Sequence, residues 1–453
     1  MSIKLDWEIE AEREQIRGAG EDPDARRRRR QTRVRFLLTL VLLLSLIGAG
    51  VAAVAVRLRQ ADWQIEQRLR DTVDAEVAAL RLGNRELFLE TQRSASDDWT
   101  QRQAAEFDRY QNLKITQDIR LTGRIVEAQV DRLRGRIVIE EIVNSVPYGR
   151  VWFYWRYDDG WRHVPPDYTF WGELRTIEAE GVTVRYRALD EGAASAIHAD
   201  LTRWIETACA ALRCPAPPMF TVEIEPDPTL QNGWSAVDSS LLRVRSPFII
   251  AERLDQPFDR GLKLEIARLV VERIVTSTRD LQPLYPNDAI YLRTAIVNWL
   301  IGRFAEIDTG AYLIDSLART YGDASVGVLL QILAPDSSIA VVATAAGAPS
   351  LDSASVDWRD FLTWRLALEG ELIASGDAAG MAALYDNDEY GQALAASRFA
   401  AGVPAEARTV VSVVREVDAT GVPVLRTVVQ VGENDATESI AFRLSGGIWR
   451  RAG

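Results

Sequence analysis

The chain has 453 residues, 47% hydrophobic and 26% charged, a balance that supports several folded cores and excludes disorder over most of its length. Its formal charge of −12 is uneven: residues 1–35 hold ten basic and eight acidic side chains, for +2, so the remainder holds −14. An acidic body with scattered arginines lacks the basic face of a nucleic-acid binder, and two histidines, His163 and His198, leave little for histidine-based metal sites or catalysis.

In chain order, residues 1–35 read as a short, mostly disordered cytoplasmic tail with a helical patch over 7–16 and a break at Asp22-Pro23-Asp24. Residues 36–56, from Phe36 to Val56, carry no charge, and at about 1.5 Å per residue such a helix crosses about 30 Å of hydrocarbon. The arginines at 26–30, Arg33 and Arg35 precede this run while only Arg57 and Arg59 follow closely, which sets the N-terminus in the cytoplasm and the bulk of the chain outside it. A cleaved secretory signal is the competing reading; Gly48, Ala49, Gly50 and Ala52 keep it open, against the usual apolar core of about 7 to 15 residues.

Residues 57–112 show helical periodicity through Trp63, Leu69, Val73, Val77 and Leu80, then Leu87 to Leu89, then Trp99, Phe107 and Tyr110, with Gly83-Asn84 and 94–98 as punctuation. Strands follow at 119–128, 136–144 and 150–157, and Asp158-Asp159-Gly160 turns the chain into 161–164. Helices first and an antiparallel meander second is an α+β order. Residues 74–173 resemble the nuclear transport factor 2-like superfamily, which includes polyketide-cyclase-like domains. The resemblance rests on Ala78-Ala79-Leu80-x-x-Gly83-Asn84 and on the hairpin Phe153-Tyr154-Trp155-Arg156-Tyr157-Asp158-Asp159-Gly160-Trp161-Arg162-His163-Val164. It implies helices wrapped on a curved sheet, often around a pocket that uses Asp and His residues in enzymatic members and binds ligands or partners in others.

Strand alternation puts Trp152 and Tyr154 on one face and Phe153 and Trp155 on the other, one set being core. Trp152, Tyr154 and His163 are the ligand-binding candidates. His163, near Asp158, Asp159 and Asp167, could form an acid/base pair, but a hairpin-end histidine is expected on a wet surface. Residues 358–400 give three helical segments and 409–451 four strands, and the ending at 441–451 parallels the first hairpin, so a second domain of the same superfamily is expected there.

Between them come a strand at 181–187, a helix at 193–212, a strand at 220–225 and two long helices at 262–277 and 289–307, the last started by Pro286 and Asn287-Asp288. This order resembles the peptidase MA-like domain of gluzincin metallopeptidases over 180–335. Those enzymes hold zinc with two histidines one helical turn apart and a glutamate from the next helix, with another glutamate as base. Here the matching stretch is Leu264-Glu265-Ile266-Ala267-Arg268, with Leu264 and Arg268 in place of both histidines, Glu265 kept at the base position and Thr294 in place of the third ligand. A leucine offers no lone pair and an arginine repels a dication, so a zinc site of that kind cannot be built and no metal or cofactor is expected. Ser235, Ser239 and Ser240 lack a nucleophile-elbow context, and no glycine loop suited to phosphate appears. Cys209 and Cys214 either bridge around a helix end or remain two separate thiols.

The expected layout is α+β and multidomain: tail 1–35, membrane helix 36–56, nuclear transport factor 2-like domain 57–175, degenerate peptidase-like domain 176–350, and a second nuclear transport factor 2-like domain 351–453. The expected function is a membrane-anchored, extracytoplasmic, non-catalytic binding or scaffold protein whose partner is a protein or small molecule. The alternative is an enzyme with an acid/base site in a cone-shaped domain, or a residual hydrolase.

Overall fold

The computed structural model describes residues 23–179, 181–282, 287–432 and 436–452. The expected helical patch at 7–16 and the helix start at Pro286 lie outside them. The chain is α+β with one long apolar N-terminal helix, and it divides into two compact units. One comprises the described residues up to Thr116 with Gly123–Ile139 and Trp152–Pro165; the other comprises Gln117–Thr122, Glu140–Val151 and everything from Pro166 onward.

In the first unit, helix α1 (Pro23–Leu82) runs 60 residues, about 90 Å, without interruption. This corrects two expectations: residues 23–35 are helical, not a disordered tail, and the apolar run does not end a separate helix at Val56. Proline is accepted in the first turn, where its missing N–H costs nothing, and no glycine or proline lies between Val51 and Leu82 to stop propagation. Charged pairs one turn apart, such as Glu66–Arg70 at 2.7 Å, support the stretch beyond the apolar run. Gly83, at φ +75°, ends α1 because only glycine takes that conformation without strain, and the Gly83 and Asn84 N–H groups donate back to Leu80 and Ala79. The Asn84 side chain then caps α2 (Arg85–Glu90) by accepting from the Leu87 N–H, and α3 (Asp97–Thr116) follows. Strands β1 (Ile119–Asp131), β2 (Arg134–Val143), β3 (Val146–Tyr157) and β4 (Gly160–Val164) form a meander whose residues Gly123–Ile139 and Trp152–Pro165 belong to this unit, with Tyr154 opposite His163 in the last hairpin.

The second unit opens with a sheet in the order β5 (Leu174–Ala179), β6 (Val182–Arg187), β7 (Phe220–Glu225), β9 (Leu241–Arg245), β8 (Gly233–Trp234). Its three central strands are parallel and both edge strands antiparallel. Helix α4 (Glu191–Leu212) connects β6 to β7 and buries Ile197, Leu201, Trp204 and Ala208 at helical spacing. Strand β10 (Glu252–Arg253) pairs with β3 at Gly149 and Tyr148. Helices α5 (Arg260–Thr278) and α6 (Asp288–Ala305) pack on each other, and α7 (Tyr312–Tyr321), α8 (Asp323–Ile332) and α9 (Val341–Ala346) complete the centre. Cys209 and Cys214 form a disulfide across the end of α4, settling the open alternative. The chain then gives α10 (Arg359–Ser375), α11 (Ala378–Ala383), α12 (Glu389–Ala401) and an antiparallel meander of β11 (Arg408–Val417), β12 (Pro423–Val431), β13 (Thr437–Ser445) and β14 (Ile448–Arg451). One buried cluster runs from Val182 to Trp449 across the expected divide at 350/351, and a smaller one gathers Leu368, Leu372, Met381, Leu384, Tyr385 and Ala395 within the C-terminal region.

The two meander regions share a construction plan. Each has a long helix ended by a glycine at φ +75° (Gly83, Gly376), a six-residue helix capped by the next side chain (Asn84, Asp377), a third helix and four strands. In each, the second residue past the short helix forms a parallel bridge to the last strand, Gln92 to His163 and Tyr385 to Arg451.

Candidate functional site

The three aromatic candidates come together in the first unit. Tyr154 lies against His163 with ring centroids 5.0 Å apart, and Trp152 and Trp99 approach the same imidazole at 5.4 and 5.6 Å. The expected surface position of His163 is wrong: it is 7% exposed, and its Nδ1 meets Glu76 Oε1 at 2.7 Å, not an aspartate of its own hairpin. Glu76 is fully buried on α1 and also accepts from Gln92 Nε2 (2.9 Å) and the Tyr154 hydroxyl (2.8 Å). Burial first, then the Glu76 charge, holds the Tyr154 phenol well above its ordinary value. Alternation resolves as two buried residues, Trp152 and Tyr154, on one face, and on the other Phe153 buried with Trp155 half exposed.

Sequence reading missed Glu76, although a signal existed: a lone glutamate among Leu69, Val73, Val77 and Leu80 occupies a core position of the helix. Its counterpart in the C-terminal region is Glu369, buried on α10, which accepts from Tyr385 at 3.0 Å and pairs with Arg451 at 2.7 and 2.8 Å. The spacing from this glutamate to the bridging residue is 16 in both regions. Arginine thus stands in the second region where histidine stands in the first, and an arginine cannot take up a proton.

The four positions singled out by the expected peptidase resemblance behave differently. Leu264 is half-buried, while Glu265, Arg268 and Thr294 face outward from α5 and α6. Glu265 Oε2 accepts from Asn232 Nδ2 at 2.8 Å, and Asn232 Oδ1 accepts the Arg245 N–H at 2.7 Å, tying the first turns of α5 to the β8–β9 edge.

Glu265 and Asn232 line one side of an open cleft of about 310 Å³, whose other walls are the segment 245–253 and the start of α5. Glu252 belongs to the same wall and is 5% exposed, with Oε1 lacking a hydrogen-bond partner among the described residues. Behind it lies Asp190, fully buried and held by Trp171 Nε1 at 3.0 Å and by the Ser246 hydroxyl. Burial, with the Asp190 charge adding to it, pushes Glu252 up to about 8. Such a carboxyl keeps a proton near neutrality. Nothing in the sequence marked it, because β10 is two residues long and its burial comes from segments far away in the chain. No protein-family model, no curated protein and no solved structure matches this chain.

Proposed function

We propose that the chain is a single-pass membrane protein with a cytoplasmic N-terminus whose bulk lies outside the cytoplasm. There it acts as a non-catalytic binding or scaffold protein, built from a metal-free peptidase-like domain between two nuclear transport factor 2-like domains. Helix α1, long and apolar enough to cross a membrane, supports the anchor, and the Cys209–Cys214 disulfide supports an oxidising compartment. The shared plan of the two meander regions, down to the glycine stop and the buried glutamate, supports their common origin. The observation that carries binding is Glu252, a buried carboxyl with an unused oxygen in the wall of a cleft beside Glu265. A full-length preparation dialysed against zinc and then analysed for metal is expected to hold no stoichiometric zinc and to leave peptides uncleaved; metal-dependent cleavage would end this reading.

A second reading, acid/base catalysis in the first unit, has the 2.7 Å contact between His163 and Glu76 in its favour. Arg451 at the matching place weighs against it, since the same position then serves as a brace in both regions. This enzymatic reading requires a substrate whose turnover is abolished by His163→Gln in a protein that keeps its thermal midpoint.

A further inference from the structure

Contacts along α1 fix which way the first unit's hairpins point. Going down the helix towards the apolar run, the strand position of Gly123 sits against Val77, and that of Gly135 against Leu69. On β4, His163 meets Glu76, while Trp161, two residues nearer the turn, donates its indole N–H to the Ile65 carbonyl at 3.3 Å. Both hairpins therefore run with their turns towards the apolar end of the helix.

The β1–β2 turn consists of Arg132 and Leu133, directly before Arg134, and Leu133 is 55% exposed. The Arg156 N–H donates to the Leu133 carbonyl at 2.8 Å, which places a further exposed arginine beside the tip. At this end Asp131 is tied to Arg134 and Asp159 to Arg93 and Arg162, leaving Arg132 and Arg156 without acidic partners among the described residues, against Asp158. An exposed leucine flanked by two arginines without ion-pair partners among the described residues, against the single carboxylate of Asp158, suits a surface that is negative outside and apolar just beneath.

Height is consistent with contact. Val56 precedes Leu69 by thirteen residues, about 20 Å of helix. The tip continues about 7 Å past Gly135, leaving about 13 Å to the hydrocarbon edge, of which the headgroup layer fills about 5 to 8 Å. Arginine stems span the rest.

We infer that the β1–β2 hairpin tip, with Arg132, Leu133 and Arg156, is a second membrane contact, resting on the anionic headgroups of the bilayer that α1 spans. This rests on the anchor reading. The native cysteines are paired, so a single introduced thiol can be labelled in the full-length protein. Three variants, Leu133→Cys, Ser45→Cys in the apolar run and Ile115→Cys, exposed at the end of α3 that Lys114 ties to the Arg81 carbonyl at the far end of α1, each carry a nitrobenzoxadiazole dye in vesicles of phosphatidylcholine and phosphatidylserine. Quenching by a headgroup spin label at Leu133 should exceed that at Ile115 by about two-fold or more, and adding Arg132→Glu with Arg156→Glu should abolish the excess. Quenching of the Ser45 dye by a mid-chain spin label with Leu133 no better than Ile115 overturns the hairpin contact alone. An unquenched Ser45 dye overturns the anchor and the hairpin contact together.

Discussion

Glu76 shows how one side chain can tie three parts of a domain. Its carboxyl group, on α1, meets Gln92, two residues past α2, and both strands of the β3–β4 hairpin through Tyr154 and His163. Replacing it with alanine leaves the buried Tyr154 hydroxyl and His163 Nδ1 without this partner, while Gln92 keeps Phe88 and Thr91, so Glu76→Ala should cost about 3 kcal/mol, read by denaturant unfolding of the full-length protein. Glu252 makes a prediction of the opposite kind. Its folded value of about 8 lies above its ordinary 4.5, so the folded state holds a proton that the unfolded chain releases across that window. The associated stability is complete below pH 4.5 and is lost as pH rises towards 8. In unfolding measurements across that range, Glu252→Gln should remove the decline and be the more stable protein at the alkaline end. An unchanged slope would show that another group sets it.

At the scale of elements, the parts written in local chemistry were legible. Asp158-Asp159-Gly160 marks the β3–β4 turn, and the periodic apolar residues of α5 and α6 place those helices within two residues of where they lie. The continuity of α1 was not, because the charges at Arg57 and Arg59 look like an end, whereas helix propensity is indifferent to where apolar residues give way to charged ones. The cleft was not legible either, since its acidic residues come from β10 (Glu252) and from the start of α5 (Asp259, Glu265), which share no sequence pattern. Close packing between helices gives a sharper test of the second unit. A methyl group at Gly327 of α8 would overlap the carbonyl oxygen of Ala211 near the end of α4, and a backbone atom cannot swing aside. Gly327→Ala should therefore destabilise by about 2 kcal/mol, seen as a lowered thermal midpoint; an unchanged midpoint would mean that the two helices can part freely.

For the molecule as a whole, the disulfide and the apolar helix bear on the same question of compartment. Membranes alkylated before reduction should yield a chain with no blocked thiols, and two should appear after reduction; free thiols at the outset would argue against an oxidising location. Loss of the bridge in Cys209→Ser with Cys214→Ser should cost about 2 kcal/mol for so short a loop. The uninterrupted α1 has a mechanical meaning. With no joint between the apolar run and the domain built on it, the first unit is keyed to a shaft. On the anchor reading proposed above, a tilt of the apolar run by about 20° sweeps the Leu69 level sideways by about 7 Å, and a twist of it turns the residues built on the same helix, so motion of the anchored half reaches a folded surface through one continuous helix.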